Sequence, residues 1–121
     1  MIMKNDNSNV IYTEIDGYKF MFMGDAGVDK ERDILDKYNI LSTDVLKVGH
    51  HGSKTSSSAE FINDTNPKYS IISVGKNNRY GHPNKEVLYN LENSNIYRTG
   101  QDGSIMFKIK NNKLNIKTCN Q

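Results

Sequence analysis

Two adjacent histidines, His50 and His51, lie inside Lys47-Val-Gly-His-His-Gly-Ser-Lys-Thr-Ser56, directly after the apolar run Asp44-Val-Leu-Lys-Val48. Imidazole is the commonest protein ligand for zinc-like ions. A strand that runs out into glycine lets a rigid sheet aim side chains at a shared point. Phe22-Met-Gly-Asp-Ala26 places Asp25 at a second strand end, and Ser73-Val-Gly-Lys-Asn-Asn-Arg-Tyr-Gly-His-Pro83 places His82 beyond a third. Carboxylate and imidazole are the donors that hold one or two divalent ions. Three strand ends that each offer Asp or His therefore predict one composite metal site on one sheet edge.

Each of these residues also has a plainer use. A Gly-Asp pair after an apolar strand serves as a turn or a helix cap. His50 and His51 face opposite sides if strand pairing continues through them, and both reach one site only if the chain kinks at Gly49 or Gly52. A buried, hydrogen-bonded structural pair is the alternative. The hydroxyl-rich segment that follows favours function, because Ser53, Thr55 and the serines after them offer hydroxyl and backbone N–H donors to phosphate oxygens ahead of a helix, and Lys54 adds charge. Next to His82, Gly81 allows close approach and Pro83 fixes the chain direction. Arg79 and Tyr80 suit holding a phosphate and stacking on a base or sugar; they suit packing against the sheet edge equally well.

The elements that must position these residues follow from the hydrophobic pattern. Val10–Ile15 and Tyr18–Met23 read as strands joined at Asp16-Gly17, a tight-turn pair. Asp29–Tyr38, with Ile34 and Leu35 among charges, reads as a short amphipathic helix. Asp44–Val48 reads as a strand. Ser57 with Glu60 fits a capping box opening a second helix over 57–64, with Pro67 just beyond its end. Tyr69–Val74 is a strand buried on both faces, and Pro83 suits the first turn of a third helix over 84–93, which carries Val87, Leu88 and Leu91 on one side. Ile96–Thr99, Ser104–Lys110 and Lys113–Thr118 close the chain as strands. Strands alternating with helices predict an α/β domain with one mixed sheet and its helices on one face.

With 121 residues the chain reads as one domain over 1–121. A net charge of +2 implies no large field of one sign, so neither a nucleic-acid partner nor a small substrate is excluded. The one cysteine, Cys119, precludes an internal disulfide and a cysteine-based zinc knuckle. No run approaches the roughly 20 apolar residues of a membrane span, and the first residues lack the regions of a signal peptide. The expectation is a cytoplasmic chain, or a soluble part of a membrane-associated protein, with no membrane contact of its own evident. Neither a Walker-type phosphate loop nor a Gly-x-Ser-x-Gly elbow occurs.

Several stretches together carry a family resemblance: Asn5–Val10, Phe22-Met-Gly-Asp-Ala26, Leu46–Ser56, Pro67–Gly75, Asn78-Arg-Tyr-Gly-His-Pro83 and Tyr97-Arg-Thr-Gly-Gln-Asp-Gly103. In order and spacing they resemble the ComEC-type branch of the metallo-β-lactamase fold superfamily. The resemblance implies a hydrolase with one or two metal ions, zinc or manganese, acting on DNA or another phosphodiester during DNA uptake by competent bacteria. It matches Asp25 to a bridging aspartate, His50 and His51 to a double-histidine motif, and His82 to a late metal ligand. Asp25 and His51 are then the residues expected to carry catalysis, with Ser53, Lys54, Thr55, Arg79 and Tyr80 on the substrate.

The superfamily's earlier His-x-His-x-Asp-His-like motif has no counterpart, because the chain's three histidines are all accounted for above. The expectation is therefore the C-terminal half of an αββα sandwich. Such a half is expected to leave one sheet face uncovered, to be met by an N-terminal half or by a second copy in a dimer. The competing expectation is a non-catalytic remnant, a module that folds and self-associates. In either case metal binding by this chain alone is expected to be weak or absent.

Overall fold

The computed structural model describes residues 2–5, 8–24, 26–38, 42–52, 56–73, 83–99 and 104–119. A six-stranded sheet forms its centre, in the spatial order β1 (Ile2–Asn5), β2 (Ser8–Ile15), β3 (Tyr18–Phe22), β4 (Val45–Lys47), β5 (Tyr69–Ile72) and β6 (Asn95–Arg98). The sheet is mixed. β1, β2 and β3 pair antiparallel, whereas β3 through β6 run parallel. The β2–β3 turn uses Asp16 at φ 51° and Gly17 at φ 87°, the left-handed pair that a two-residue hairpin with matching twist requires. β1 is a strand that the hydrophobic pattern did not predict.

Helices α1 (Val28–Lys37), α2 (Ala59–Thr65) and α3 (Lys85–Asn90) connect the parallel strands. All three contribute to one core on one face of the sheet. Ile34, Phe61, Ile62 and Val87 pack there with Met21, Leu46 and Ile72 of the strands. This agrees with the α/β class and with helices on one face. The second helix starts later than expected. Its cap is Ser58, whose hydroxyl accepts from the Phe61 amide at 3.3 Å, not Ser57 paired with Glu60. Ser57 has φ 55° and belongs to the turn ahead of the helix. The third helix is capped by Asn84, whose side chain accepts from the Glu86 amide at 2.9 Å, so Pro83 stands just outside the helix and not in its first turn.

The last two strands also depart from the expected single sheet. β7 (Ser104–Lys110) and β8 (Lys113–Cys119) form a separate antiparallel hairpin, turning at Asn111 and Asn112 with φ 53° and 63°. Its apolar side, Ile105, Phe107, Ile109 and Leu114, lies against the face opposite the helices, on Phe20, Val45 and Ile71. Phe107 meets Phe20 edge to face, with centroids 6.0 Å apart. The Tyr18 hydroxyl fixes the tip of the hairpin: it donates to the Asn112 carbonyl at 2.8 Å and accepts from the Leu114 amide at 3.1 Å.

The hairpin reaches β3 through β6 only. On the same face, Ile11 and Ile15 of β2 and Phe22 at the end of β3 stay 39%, 47% and 41% exposed. A largely apolar cleft of about 520 Å³ runs between sheet and hairpin, lined in part by Ile15, Phe22, Ile71 and Phe107. The expected uncovered face is thus covered in part.

Tyr18→Phe removes both hydrogen bonds at the hairpin tip and leaves the Leu114 amide without that acceptor. The expected cost is about 0.5–1.5 kcal/mol in denaturant unfolding, with faster amide exchange at Leu114. An unchanged exchange rate at Leu114 would show that the tip is held by other contacts.

Candidate functional site

The parallel strands β3, β4 and β5 end at the same edge of the sheet, and each is followed by one of the segments with candidate ligands. Asp25, Ser53, Lys54, Thr55, Arg79, Tyr80 and His82 lie outside the described residues. The backbones of His50 and His51 are described, as part of a 3-10 turn over Gly49–Gly52. β4 therefore stops at Lys47, and strand pairing does not run through the two histidines; the chain bends at the glycines instead.

The flanks of all three segments come together. A side chain on Gly49 would place its Cβ 2.8 Å from the Ala26 carbonyl oxygen and 3.2 Å from Met23 Cβ, so the turn lies directly on the loop that brackets Asp25. On the other side, a Cβ on Gly52 would lie 2.6 Å from Pro83 Cβ, and the Asn84 amide donates to the Gly52 carbonyl at 2.8 Å. The residue after His82 is thus seated on the histidine turn. Met23 N donating to Lys47 O at 3.2 Å and Val48 N donating to Ile71 O at 2.9 Å extend the sheet ladder up to this point. Gly24, at φ 58°, makes the bend before Asp25. Two glycines are needed because two backbones approach within side-chain distance.

Behind the turn stands a residue that the sequence reading passed over. Glu31 of α1 is buried, with 1% of its surface exposed, and its carboxylate accepts from the amides of both Ser57 and Ser58, the latter at 2.9 Å. Ser56 Oγ donates to the Gly49 carbonyl at 3.0 Å, and Asn90 of α3 donates to the Ser57 carbonyl at 2.9 Å. The segment after the histidines is thereby tied to α1, to α3 and back to the turn. The sequence signal for Glu31 was its place one helical turn before the buried Ile34, on the apolar stripe where a carboxylate has no business without partners. These bonds also correct one expectation. The Ser57 and Ser58 amides, and the hydroxyl of Ser58, hold the fold together and are not donors reserved for phosphate.

Burial raises the Glu31 carboxyl above its ordinary 4.5, and the hydrogen bonds from Ser58 and Ser57 pull it back only in part. Among the described residues no group of three His, Cys, Asp or Glu side chains could hold a metal ion. The donors that fit one by their chemistry are Asp25, His50, His51 and His82, whose side chains lie outside that set.

Segments of several larger proteins match most of this chain. "ComE operon protein 3" of Bacillus subtilis (strain 168) is 44% identical over 110 residues, 89% of this chain and 14% of that protein. "Competence protein ComA" of Neisseria gonorrhoeae is 35% identical over 106 residues, 85% of this chain and 15% of the relative. "Recombination protein 2" of Haemophilus influenzae is 30% identical over 121 residues, 97% of this chain and 15% of the relative. The chain spans about one seventh of the length of these relatives. No family model matches it. No helix among the described residues is long and apolar enough to cross a membrane.

Two substitutions test this arrangement. Gly52→Ala combines φ +80° with a clash against Pro83, whereas Gly17→Ala has φ +87° and open space. The first is expected to cost about 2–4 kcal/mol and the second about 1–2 kcal/mol in urea unfolding; equal costs would mean that the Pro83 segment yields freely. Glu31→Gln reports the buried carboxylate. A carboxyl raised in the folded state holds its proton there while the unfolded chain has lost it. Its contribution to stability is full below about 4.5 and declines as pH rises through the raised value. The stability of the native chain minus that of Glu31→Gln should therefore fall across that window, and a difference that rises with pH would contradict the assignment.

Proposed function

We propose that this chain is the C-terminal part of a metal-dependent hydrolase domain of a competence protein, with DNA phosphodiesters as substrate. The observation that carries this reading is the seating of the Gly49–Gly52 turn on Met23 and Ala26 on one side and on Pro83 on the other, which brings the neighbours of Asp25, His50-His51 and His82 to one point. One of the relatives that match the chain is a competence protein by name, which supports a part in DNA uptake. The metallo-β-lactamase arrangement belongs to the same proposal: a sheet with helices on one face, and strand-end ligands at one edge, is what one half of such a sandwich requires.

In this reading Asp25, His82 and one or both of His50 and His51 would hold one or two ions, zinc or manganese. Carboxylate with imidazole suits either metal. When bound, such an ion supplies an activated water and neutralises charge on the phosphate. Asp25 and His51 are the residues on which turnover depends. Ser53, Lys54 and Thr55 reach phosphate oxygens from the segment after the turn, Arg79 pairs with phosphate and Tyr80 stacks on a base or sugar. Glu31 keeps the histidine segment against α1 while this happens. The exposed Ile11, Ile15 and Phe22 fit a covering partner, either the N-terminal half of the domain or a second copy. That apolar face is also what favours the second reading, a self-associating module without activity.

Three to four protein ligands and an open position are needed for hydrolysis, and without the first histidine motif too few ligands remain in this chain to hold an ion tightly and keep that position open. The chain alone is expected to show little hydrolysis of DNA or bis-nitrophenyl phosphate with Mn²⁺ or Zn²⁺. Within the full-length protein, Asp25→Ala and His51→Ala are each expected to lower metal-dependent DNA hydrolysis by on the order of 10²-fold or more. Full-length turnover that ignores both substitutions would sink the hydrolase reading. Robust turnover by the chain alone, lost in both variants, would instead show that no further half is needed.

A further inference from the structure

The β7–β8 hairpin has a second face, and its charge is one-sided. Ile105, Phe107, Ile109 and Leu114 point at the sheet, so by strand alternation the residues between them point away. These are Lys108, Lys110, Lys113 and Lys117, all exposed, with Asn115 and Met106 between them. The register sets Lys110 directly opposite Lys113, Lys108 opposite Asn115 and Met106 opposite Lys117. Residues 104–119 contain four lysines and no Asp or Glu. Of the 16 basic and 14 acidic residues in the chain, 12 and 14 lie elsewhere, so the hairpin carries +4 and the remainder −2. The modest net charge of the whole chain hides this separation.

Lysines on a two-stranded ribbon also guard its edges against pairing with other chains. Edge protection does not need four charges of one sign on one face, and it does not need two lysines opposed across the ladder, an arrangement that destabilises a hairpin. The ribbon is also rigid. Tyr18 pins its tip at Asn112 and Leu114, and Phe107 anchors its middle on Phe20. A fixed cationic face with an unfavourable internal pair is suited to a partner that neutralises it.

We propose that the outward face of the β7–β8 hairpin, Lys108, Lys110, Lys113 and Lys117, binds the phosphate backbone of DNA. The choice of DNA rests on the competence reading above; the surface itself rests on its charge and register. Lys108 and Lys110 stand roughly 6–7 Å apart along β7, Lys113 and Lys117 roughly twice that along β8, and Lys110 about 5 Å from Lys113 across the ladder. Their flexible stems reach phosphates spaced about 3.4 Å per strand along a duplex. An anionic membrane is the poorer fit, because an interfacial element also needs an apolar face to insert. Met106, 61% exposed, is the one large apolar residue among the lysines. No base-reading group is implied, so binding is sequence-independent and strongly salt-dependent.

The test is fluorescence anisotropy of the chain with labelled single-stranded and duplex DNA, in EDTA so that hydrolysis plays no part. Binding is expected to weaken with salt, with each lysine that contacts a phosphate contributing about 0.9 to the log–log slope on duplex. The variant K108Q/K110Q/K113Q/K117Q should lose at least tenfold in affinity at low salt, and its slope should shrink by about 3–4. The control K37Q/K85Q, on exposed helix positions, should keep both. Circular dichroism checks folding; Lys113→Gln alone, which also relieves the Lys110 repulsion, should lose about one unit of slope without loss of stability. Because binding is read without metal, the outcome does not depend on whether the proposed metal site hydrolyses DNA. Equal affinity of the fourfold variant and the native chain overturns the inference. So does binding to phosphatidylserine vesicles with none to DNA.

Discussion

The constraint on which this structure depends is that three parallel strands, β3, β4 and β5, must be covered on both faces. Parallel strands need crossover connections, and the crossovers here are helices that all lie on one side. Met21, Leu46 and Ile72 go under them while Phe20, Val45 and Ile71 face the other way. That second face would meet water but for the C-terminal hairpin. The same parallel order brings the C-terminal ends of β3, β4 and β5 to one edge, where open α/β sheets bind ligands. Coverage and site geometry follow from one topological choice.

At that edge the fold spends glycines and one buried carboxylate to hold a tight turn. Gly49 and Gly52 let the loop before α1 and the segment before α3 close on the histidine turn from opposite sides. Glu31 satisfies two backbone amides that the left-handed Ser57 would otherwise leave buried without partners. Because α1 supplies Glu31 and α3 supplies Asn90, a change at either helix is felt at the turn. The segment after the histidines is held from behind and at its base.

Much of the sheet was legible in the sequence because its strands alternate or are continuously apolar, and Asp16-Gly17 announces its own turn. The helices were legible from Ile34, Phe61, Val87 and Leu91, with their ends off by one to three residues. What escaped was set by tertiary contact. Ser57 looks like a cap until Glu31 takes its amide, and the cap moves to Ser58. β1 lacks apolar alternation and forms as the antiparallel neighbour of β2. The hairpin has the pattern of further sheet strands, and only the packing of Phe107 on Phe20 shows that it crosses to the other face. Of the candidate site, the residue types were legible, and so was their placement after three strands. The bend at Gly49 and Gly52 that joins them was left open between two geometries.

The two faces of the sheet also differ in how completely they close, and the reason is width. Six strands at about 4.8 Å spacing put the outer ones roughly 24 Å apart, whereas the two strands of the hairpin span only about 5 Å between their axes. Large side chains extend its reach, so Tyr18, Phe20, Tyr69 and Tyr97 are partly or fully covered on this side. β2 lies beyond that reach, and Ile11 and Ile15 show it. The outer side of the same ribbon is cationic, so the apolar strip beside the hairpin and the lysine face on top of it present different chemistries to different partners. An apolar protein surface fits the first and a polyanion fits the second. Both can be occupied at once, because one lies on the sheet face beside the hairpin and the other on the far side of the hairpin.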